Sequence, residues 1–384
     1  MHMDFRHLFK SGKIGPVNLK NRIVRSATYD GRSDRGFVTE DHIQFYEELA
    51  QGGVGLIVSG ATVVDASGSG GKTQPYLFND SFMEGQKRLV NAVHDYSEVK
   101  FAVQLMHMGR QTIHPKFPPI GPSAVPNKSI NMTPKEISME EVEYFIGAFV
   151  DAGRRAYECG YDMIQLHAAH DYFLNNFLCP YTNRREDEYG GSTENRTRIV
   201  VKIYQQLREE IGKSCPIIIK LQTIDGFMGG IDLEEAKKIA DILVKTGFDA
   251  IEPSGGSSET MNMGDRITPS YTIDSPEEEN YFLANAKSLK TIEDCCPLIL
   301  VGGVRNPIPA DKFIEENIVD FIAMSRPFIR EPNLPNRWRE GDSTPAECIS
   351  CNACYGTMIR GKVYCVPKRR LQRRKRRAAK SRKI

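Results

Sequence analysis

No apolar run in this 384-residue sequence approaches the roughly 18 residues that a membrane-spanning helix needs. The first residues, Met1-His2-Met3-Asp4-Phe5-Arg6, contain no apolar stretch of the kind a secretory leader carries. A cytoplasmic location is therefore the expectation. The first strand-to-helix turn lacks a G-x-G-x-x-G, which argues against a dinucleotide fold of the Rossmann kind. Acid is missing from one place only: from Lys368 to Lys383 there are eleven Lys or Arg and no Asp or Glu. Without those eleven, 40 basic side chains face 49 acidic ones, so the body carries about −9 while the whole chain carries +2. Such a run reads as a solvated, disordered extension. Docking on nucleic acid, an anionic membrane or an acidic partner is the alternative.

What is present reads as an ordinary globular protein, 40% hydrophobic and 26% charged. Eight short, nearly continuous apolar runs recur along the chain: Arg22–Ala27, Val54–Val64, Lys100–His107, Met163–Ala169, Pro216–Gln222, Ala250–Gly256, Pro297–Gly303 and Phe321–Ile329. Continuous rather than alternating runs suit strands buried on both faces. Helix starts lie between them. Ser138 with Glu141 and Asp232 with Glu235 have capping-box spacing, and Asn306-Pro307 places a cap before a first-turn proline. Eight strand–helix units predict an α/β fold, a (β/α)8 TIM barrel, over residues 1–340. Phe9–Asn21, with turn glycines at 12 and 15, predicts a hairpin placed to cover the barrel floor. Gln111–Pro134 carries six prolines and predicts an irregular excursion.

Three clusters carry chemistry. Ala66-Ser67-Gly68-Ser69-Gly70-Gly71-Lys72-Thr73 is one residue from a P-loop, but Gln74-Pro75 follows where a helix should start, so it reads as a flexible loop. His167, His170 and Tyr172 close the fourth strand candidate, at the end of a barrel where active sites gather. Two imidazoles can hold one substrate oxygen and a phenol can give a proton; a metal would need a third ligand, and a buried structural pair is the bland reading. Of the nine cysteines, Cys159, Cys179, Cys215, Cys295 and Cys296 are scattered and read as small buried hydrophobes. Cys348, Cys351, Cys354 and Cys365 crowd into residues 341–366 with spacing C-x2-C-x2-C-x10-C, which in a cytoplasmic protein points to metal rather than disulfides. Residues 367–384 form the basic tail.

The block His167-Ala168-Ala169-His170-Asp171-Tyr172, with Asn175-Asn176-Phe177-Leu178, Asn183–Ser192 and Glu194-Asn195-Arg196, resembles the old yellow enzyme family. It is most similar to the branch containing 2,4-dienoyl-CoA reductase and trimethylamine dehydrogenase. Lys20–Val24, Gln104–His107 and Ile322–Arg330 extend the likeness over nearly all of residues 5–366. The resemblance implies FMN at the barrel mouth and NAD(P)H as electron donor. Ser26, Ala27, Thr28, Tyr29 and Ala61 would lie against the flavin ring and Gln104 at its pyrimidine edge. Lys220 would be the cation near N1 and O2, and Gly302, Gly303, Ser325 and Arg326 would meet the phosphate. His167 and His170 would hold a carbonyl oxygen and Tyr172 would protonate carbon. Some relatives carry Cys or Thr at the position of Tyr29, and Arg at that of Lys220. The four clustered cysteines would hold a 4Fe–4S cluster, zinc being the alternative. In multidomain relatives this region leads into further domains; here the basic tail follows it, so those domains are expected to be absent.

The expected activity is an ene-reductase acting on an α,β-unsaturated carbonyl or enoyl-type substrate. An FMN/iron–sulfur amine dehydrogenase or demethylase is the alternative. The expected partners are a small-molecule substrate and further copies of the chain as a homo-oligomer; nucleic acid is not expected.

Overall fold

The computed structural model describes residues 5–96, 98–257, 259–260, 269–358 and 361–381. Met1–Asp4, residues 261–268 of the loop after the sixth strand, and the last three residues of the basic tail lie outside the described residues.

All eight strand candidates form one sheet. They are β1 (Ile23–Arg25), β2 (Leu56–Val63), β3 (Lys100–Met106), β4 (Met163–Ala168), β5 (Ile217–Gln222), β6 (Ala250–Ser254), β7 (Ile299–Leu300) and β8 (Phe321–Met324). The pairs along it are parallel, in the order β6-β5-β4-β3-β2-β1-β8-β7. A single parallel bridge between Ile251 and Leu298 brings β6 and β7 together, which leaves a nearly closed barrel. The helices between and after the strands include α1 (Glu40–Gln51), α2 (Met83–His94), α3 (Met139–Glu158), α4 (Thr193–Ile211), α5 (Leu233–Thr246), α6 (Leu283–Leu289), α7 (Pro307–Glu315) and α8 (Arg326–Arg330).

Strand alternation sorts the core into two compartments. Val24, Leu56, Val58, Ala102, Met163, Ile218, Ala250, Ile299, Phe321 and Ala323 fill the barrel interior, while their strand neighbours, such as Ile57, Val103, Ile164 and Ile219, pack outward with the helices. The predicted hairpin pairs Gly12–Ile14 with Val17–Leu19 in antiparallel register around Gly15, whose φ is +50°. Ile14 and Leu19 join the interior cluster, so the hairpin plugs the barrel floor.

Helix starts follow the capping chemistry. Glu141 N donates to Ser138 Oγ and Ser138 N donates back to Glu141 Oε2, a full capping box at α3. At α5 only half of the box forms. Asp232 accepts from Glu235 N, but the Glu235 carboxylate turns to Arg196 and to Thr193 Oγ1. Asn306 caps α7 through Ile308 N, with Pro307 in the first turn.

One expectation needs correction. The eighth strand stops at Met324 rather than running to Ile329, because Ser325 and the first-turn Pro327 start α8. The basic tail begins with a helix, α9 (Val366–Ser381). Lys, Arg, Gln, Ala and Leu are all good helix formers, and local propensity decides here because no core does.

Candidate functional site

The interior apolar layer gives way, two residues further along five of the strands, to a polar one. Ala102 is followed by Gln104, Met163 by Gln165, Ile218 by Lys220, Ala250 by Glu252 and Val24 by Ser26, all buried. These side chains form one chain of contacts. Gln104 Nε2 donates to Gln165 Oε1 (2.7 Å), and Gln165 Nε2 donates to Glu252 Oε2 (2.8 Å). Ser26 Oγ (2.5 Å) and Lys220 Nζ (2.7 Å) share Glu252 Oε1, and Lys220 also donates to Ser26 Oγ (3.1 Å). Burial pulls the Lys220 ammonium below its usual range, while Glu252 beside it works to raise it. Gln165 and Glu252 were not among the expected site residues.

One strand step higher lie His167, Gln222 and Ser254. His170 N donates to Gln222 Oε1 (2.9 Å) and His170 Nε2 meets Ser254 Oγ (2.7 Å). The His167 ring lies 5.0 Å from that of His170 and 4.8 Å from that of Tyr172, both edge-on; His170 and Tyr172 are 6.5 Å apart. The expected trio therefore converges. Burial, with Lys220 nearby, holds His167 well below the ordinary imidazole range; burial, His167 and Lys220 do the same for His170. Both rings are neutral at physiological pH. Ala169 N points at His167 Nδ1 (3.4 Å), which puts the His167 proton on Nε2. Burial and the Asp171 charge raise the Tyr172 phenol, so it keeps its proton.

A cavity opens beside His170; His167 and Tyr172 do not line it. Of the expected cofactor residues it gathers Ser26, Ala27, Lys220, Gly302, Gly303, Ser325 and Arg326, together with His170. Gln104 does not line it; contacts run from Gln104 through Gln165 and Glu252 to Lys220, which does. Ala61 pairs with Gln104 across β2 and β3, after an irregularity between Val58 and Ala61. Thr28 and Tyr29 are half-buried on the chain leaving β1, and the Tyr29 hydroxyl turns to Thr73 Oγ1. Gly302 and Gly303 have φ of +104° and +77°; a Cβ at either would strike Tyr281 or Phe282. Arg326 lines the cavity, but its NH1 is committed to Tyr271 O (2.7 Å), Ser350 O (3.0 Å) and Asn352 Oδ1 (2.6 Å).

On the far side of Arg326, Cys348, Cys351, Cys354 and Cys365 line one cavity, all as free thiols. Among the described residues no group of three or more His, Cys, Asp or Glu is close enough to hold a metal ion. The near-P-loop does not lead into a helix of its own: Ala66–Gly68 is a single 3-10 turn and α2 starts at Met83. Ser67 in it meets both Asp65 and His107. Gly109 N donates to His107 Nδ1 (3.0 Å), so His107 Nε2 carries its proton toward Ser67 (3.0 Å) and Ser67 donates to Asp65 (2.5 Å). With that tautomer, His107 is no base for a serine nucleophile. No described helix is long and apolar enough to cross a membrane.

The sequence profile of the NADH:flavin oxidoreductase / NADH oxidase family matches residues 7–344. An NADH oxidase of Thermoanaerobacter brockii is 37% identical over 363 residues, covering 92% of this chain and 54% of that protein. An NADPH dehydrogenase of Clostridium acetobutylicum is 32% identical over 329 residues, covering 85% and 92%. Among solved structures, a 2-naphthoyl-CoA reductase in complex with 2-naphthoyl-CoA superposes with a TM-score of 0.86 at 28% identity, over 94% of this chain and 56% of that one. This chain spans about half the length of the NADH oxidase and of a metal reductase of Desulforamulus reducens, 54% and 53%.

Proposed function

Because the chain belongs to the NADH:flavin oxidoreductase / NADH oxidase family, we propose that it is an FMN-dependent ene-reductase. It uses NAD(P)H to reduce the C=C bond of an α,β-unsaturated carbonyl or enoyl-type substrate. The observation that carries this reading is the convergence of two neutral imidazoles and one protonated phenol at the end of β4, with His170 and the buried Lys220 lining one cavity.

The cavity fits FMN. Lys220, held by Glu252 and Ser26, offers positive charge to an electron-rich ring. The positive φ values of Gly302 and Gly303 turn backbone toward the cavity at a point where no Cβ fits, as a phosphate cradle requires. FMN bound there would supply hydride transfer from NAD(P)H to the β-carbon of the alkene. His167, through Nε2–H, and His170 donate hydrogen bonds to the substrate carbonyl oxygen and so polarise the conjugated bond. Tyr172 gives its proton to the α-carbon. Ser325 at the start of α8 joins the glycines near the phosphate. The three bonds at Arg326 NH1 leave that residue's remaining N–H groups for any clamp. Gln104 serves the pyrimidine edge by way of the Gln165–Glu252 chain.

The four cysteines supply an all-sulfur donor set around one cavity, the chemistry of a 4Fe–4S or zinc site, although their sulfurs would have to draw together to share one. A cluster there would accept single electrons. That favours a second reading, an amine dehydrogenase or demethylase. Anaerobic purification with flavin, iron and sulfide quantified, then separate additions of NADH, NADPH, an enone and an alkylamine, tests both. NAD(P)H-dependent enone reduction supports the first reading. Flavin reduction by amine alone replaces it with the second, and a flavin-free protein overturns both.

A further inference from the structure

Outside the trio, the most connected buried charge in the barrel mouth is Arg110, in the short turn Gly109–Gln111 after β3. It is 1% exposed and bridges three loops. NH1 donates to Asp171 Oδ1 (3.3 Å), and NH2 donates to Glu259 Oε1 (2.7 Å) and to Pro126 O (2.7 Å). These acceptors sit in the turn after β4, the loop after β6 and the proline-rich excursion after β3. Both carboxylates are buried.

The turn after β4 needs such a hold. His170 and Asp171 both have φ of +62°. For non-glycine residues the left-handed region is strained, and persists only when its surroundings enforce it. Asp171 is pinned by Asn176 Nδ2 (2.7 Å) and by its own N–H to Asn175 Oδ1 (2.7 Å), besides Arg110. It lies between the two residues whose side chains face the substrate.

We propose that Arg110 is a positioning residue for the carbonyl-binding trio. Through Asp171 it fixes the backbone that aims His170 and Tyr172, and through Glu259 it fastens the loop after β6 against the same turn. The inference rests on the ene-reductase reading of that site. Arg110 touches no reacting atom. Its fork is what the geometry uses, since a lysine keeps the charge but reaches two carboxylates poorly.

The test uses the FMN-loaded protein with a phenol as a probe of the carbonyl site. Arg110→Met should retain FMN but bind the phenol roughly tenfold to a hundredfold more weakly, the scale of a lost charge-assisted hydrogen bond. Arg110→Lys should recover part of that loss. In Arg110→Met the less-compensated Asp171 should move the Tyr172-dependent limb of the pH–rate profile upward, which a purely structural role would not do. Combining Arg110→Met with Asp171→Asn should add little to the single change. If Arg110→Met does not accumulate folded, Arg110→Lys and Glu259→Gln decide. Weaker phenol binding with FMN retained supports the inference, and wild-type phenol affinity in both overturns it. Wild-type protein that binds no phenol and reduces no enone would instead sink the proposed function itself.

Discussion

Glu252→Gln probes the polar layer directly. In the native protein the Glu252 carboxylate takes Lys220 Nζ and Ser26 Oγ on one oxygen and Gln165 Nε2 on the other. The Glu252 and Lys220 side chains are 0% and 4% exposed, so no solvent screens what remains once the charge is removed. Breaking a buried pair by removing one partner costs about 3–5 kcal/mol. Lys220, already held low by burial, loses the main influence that raises it and is pulled further down. Adding Lys220→Met removes the stranded amine, so the double variant should regain most of the loss. Urea unfolding of the apoprotein reads both changes through Trp338, the one tryptophan of the chain, 1% exposed and donating Nε1 to Thr344 O at 3.1 Å. A Glu252→Gln protein within about 1 kcal/mol of wild type would refute the reasoning. So would a double variant weaker than the single one.

Three further outcomes are expected. Tyr172→Phe should leave FMN reduction by NAD(P)H near wild type and slow alkene-dependent reoxidation by about 10²–10⁴-fold; stopped-flow separation of the half-reactions checks it. Burial brings His107 down to about 4, and His167 and His170 also stay neutral in the fold. Because the unfolded chain takes up those protons first, their share of stability is full above about pH 6.5 and is lost as pH falls, at up to about 1.4 kcal/mol per unit for each ring. Melting temperatures that stay flat from pH 7 to pH 5 would contradict the neutral assignment. Deleting residues 370–384 should leave FMN content and melting unchanged, since the first turn of α9 holds on through Lys368 Nζ to Arg330 O (2.7 Å) and Arg369 over the Tyr364 ring (4.4 Å); calorimetry with a flavin assay decides.

The strands were legible because burial on both faces writes continuous apolar runs, and all eight runs became strands. The trio His167, His170 and Tyr172 was legible as a local cluster at a strand end. Gln165 and Glu252 were harder to see. Each is a polar residue inside a mostly apolar run, and only the barrel brings them together across β4 and β6. A signal existed: stepping by two from the interior residues Ala102, Met163, Ile218 and Ala250 lands on Gln104, Gln165, Lys220 and Glu252. Four polar residues at the same offset in successive strands mark a ring facing one cavity. Arg110 carried no such signal, because its acceptors are about 60 and 150 residues away in sequence, in loops whose approach no period encodes. The end of the eighth strand was misplaced although Pro327 stood in the sequence as a first-turn marker.

The seam of the barrel explains where the cavity opens. Most neighbouring strands pair over several residues, but β7 holds only Ile299 and Leu300 and meets β6 through one bridge at Leu298. The ladder cannot continue because Gly302 and Gly303 leave the extended region, with φ of +104° and +77°. Tyr281 and Phe282, from the segment before α6, fill the space a side chain would have taken there, and Tyr281 N donates to Gly302 O (3.1 Å). The cavity lies along this gap, walled by Ser254 at the end of β6, by the two glycines, and by Ser325 and Arg326 after β8. A fully paired barrel would spend its backbone groups on itself. Giving up pairing between β6 and β7 costs ladder bonds but leaves main chain able to face a ligand, next to the one place where Lys220 supplies buried positive charge. Restoring a side chain at Gly302 should therefore press on Tyr281 and Phe282 and weaken FMN retention, while leaving the trio on β4 in place.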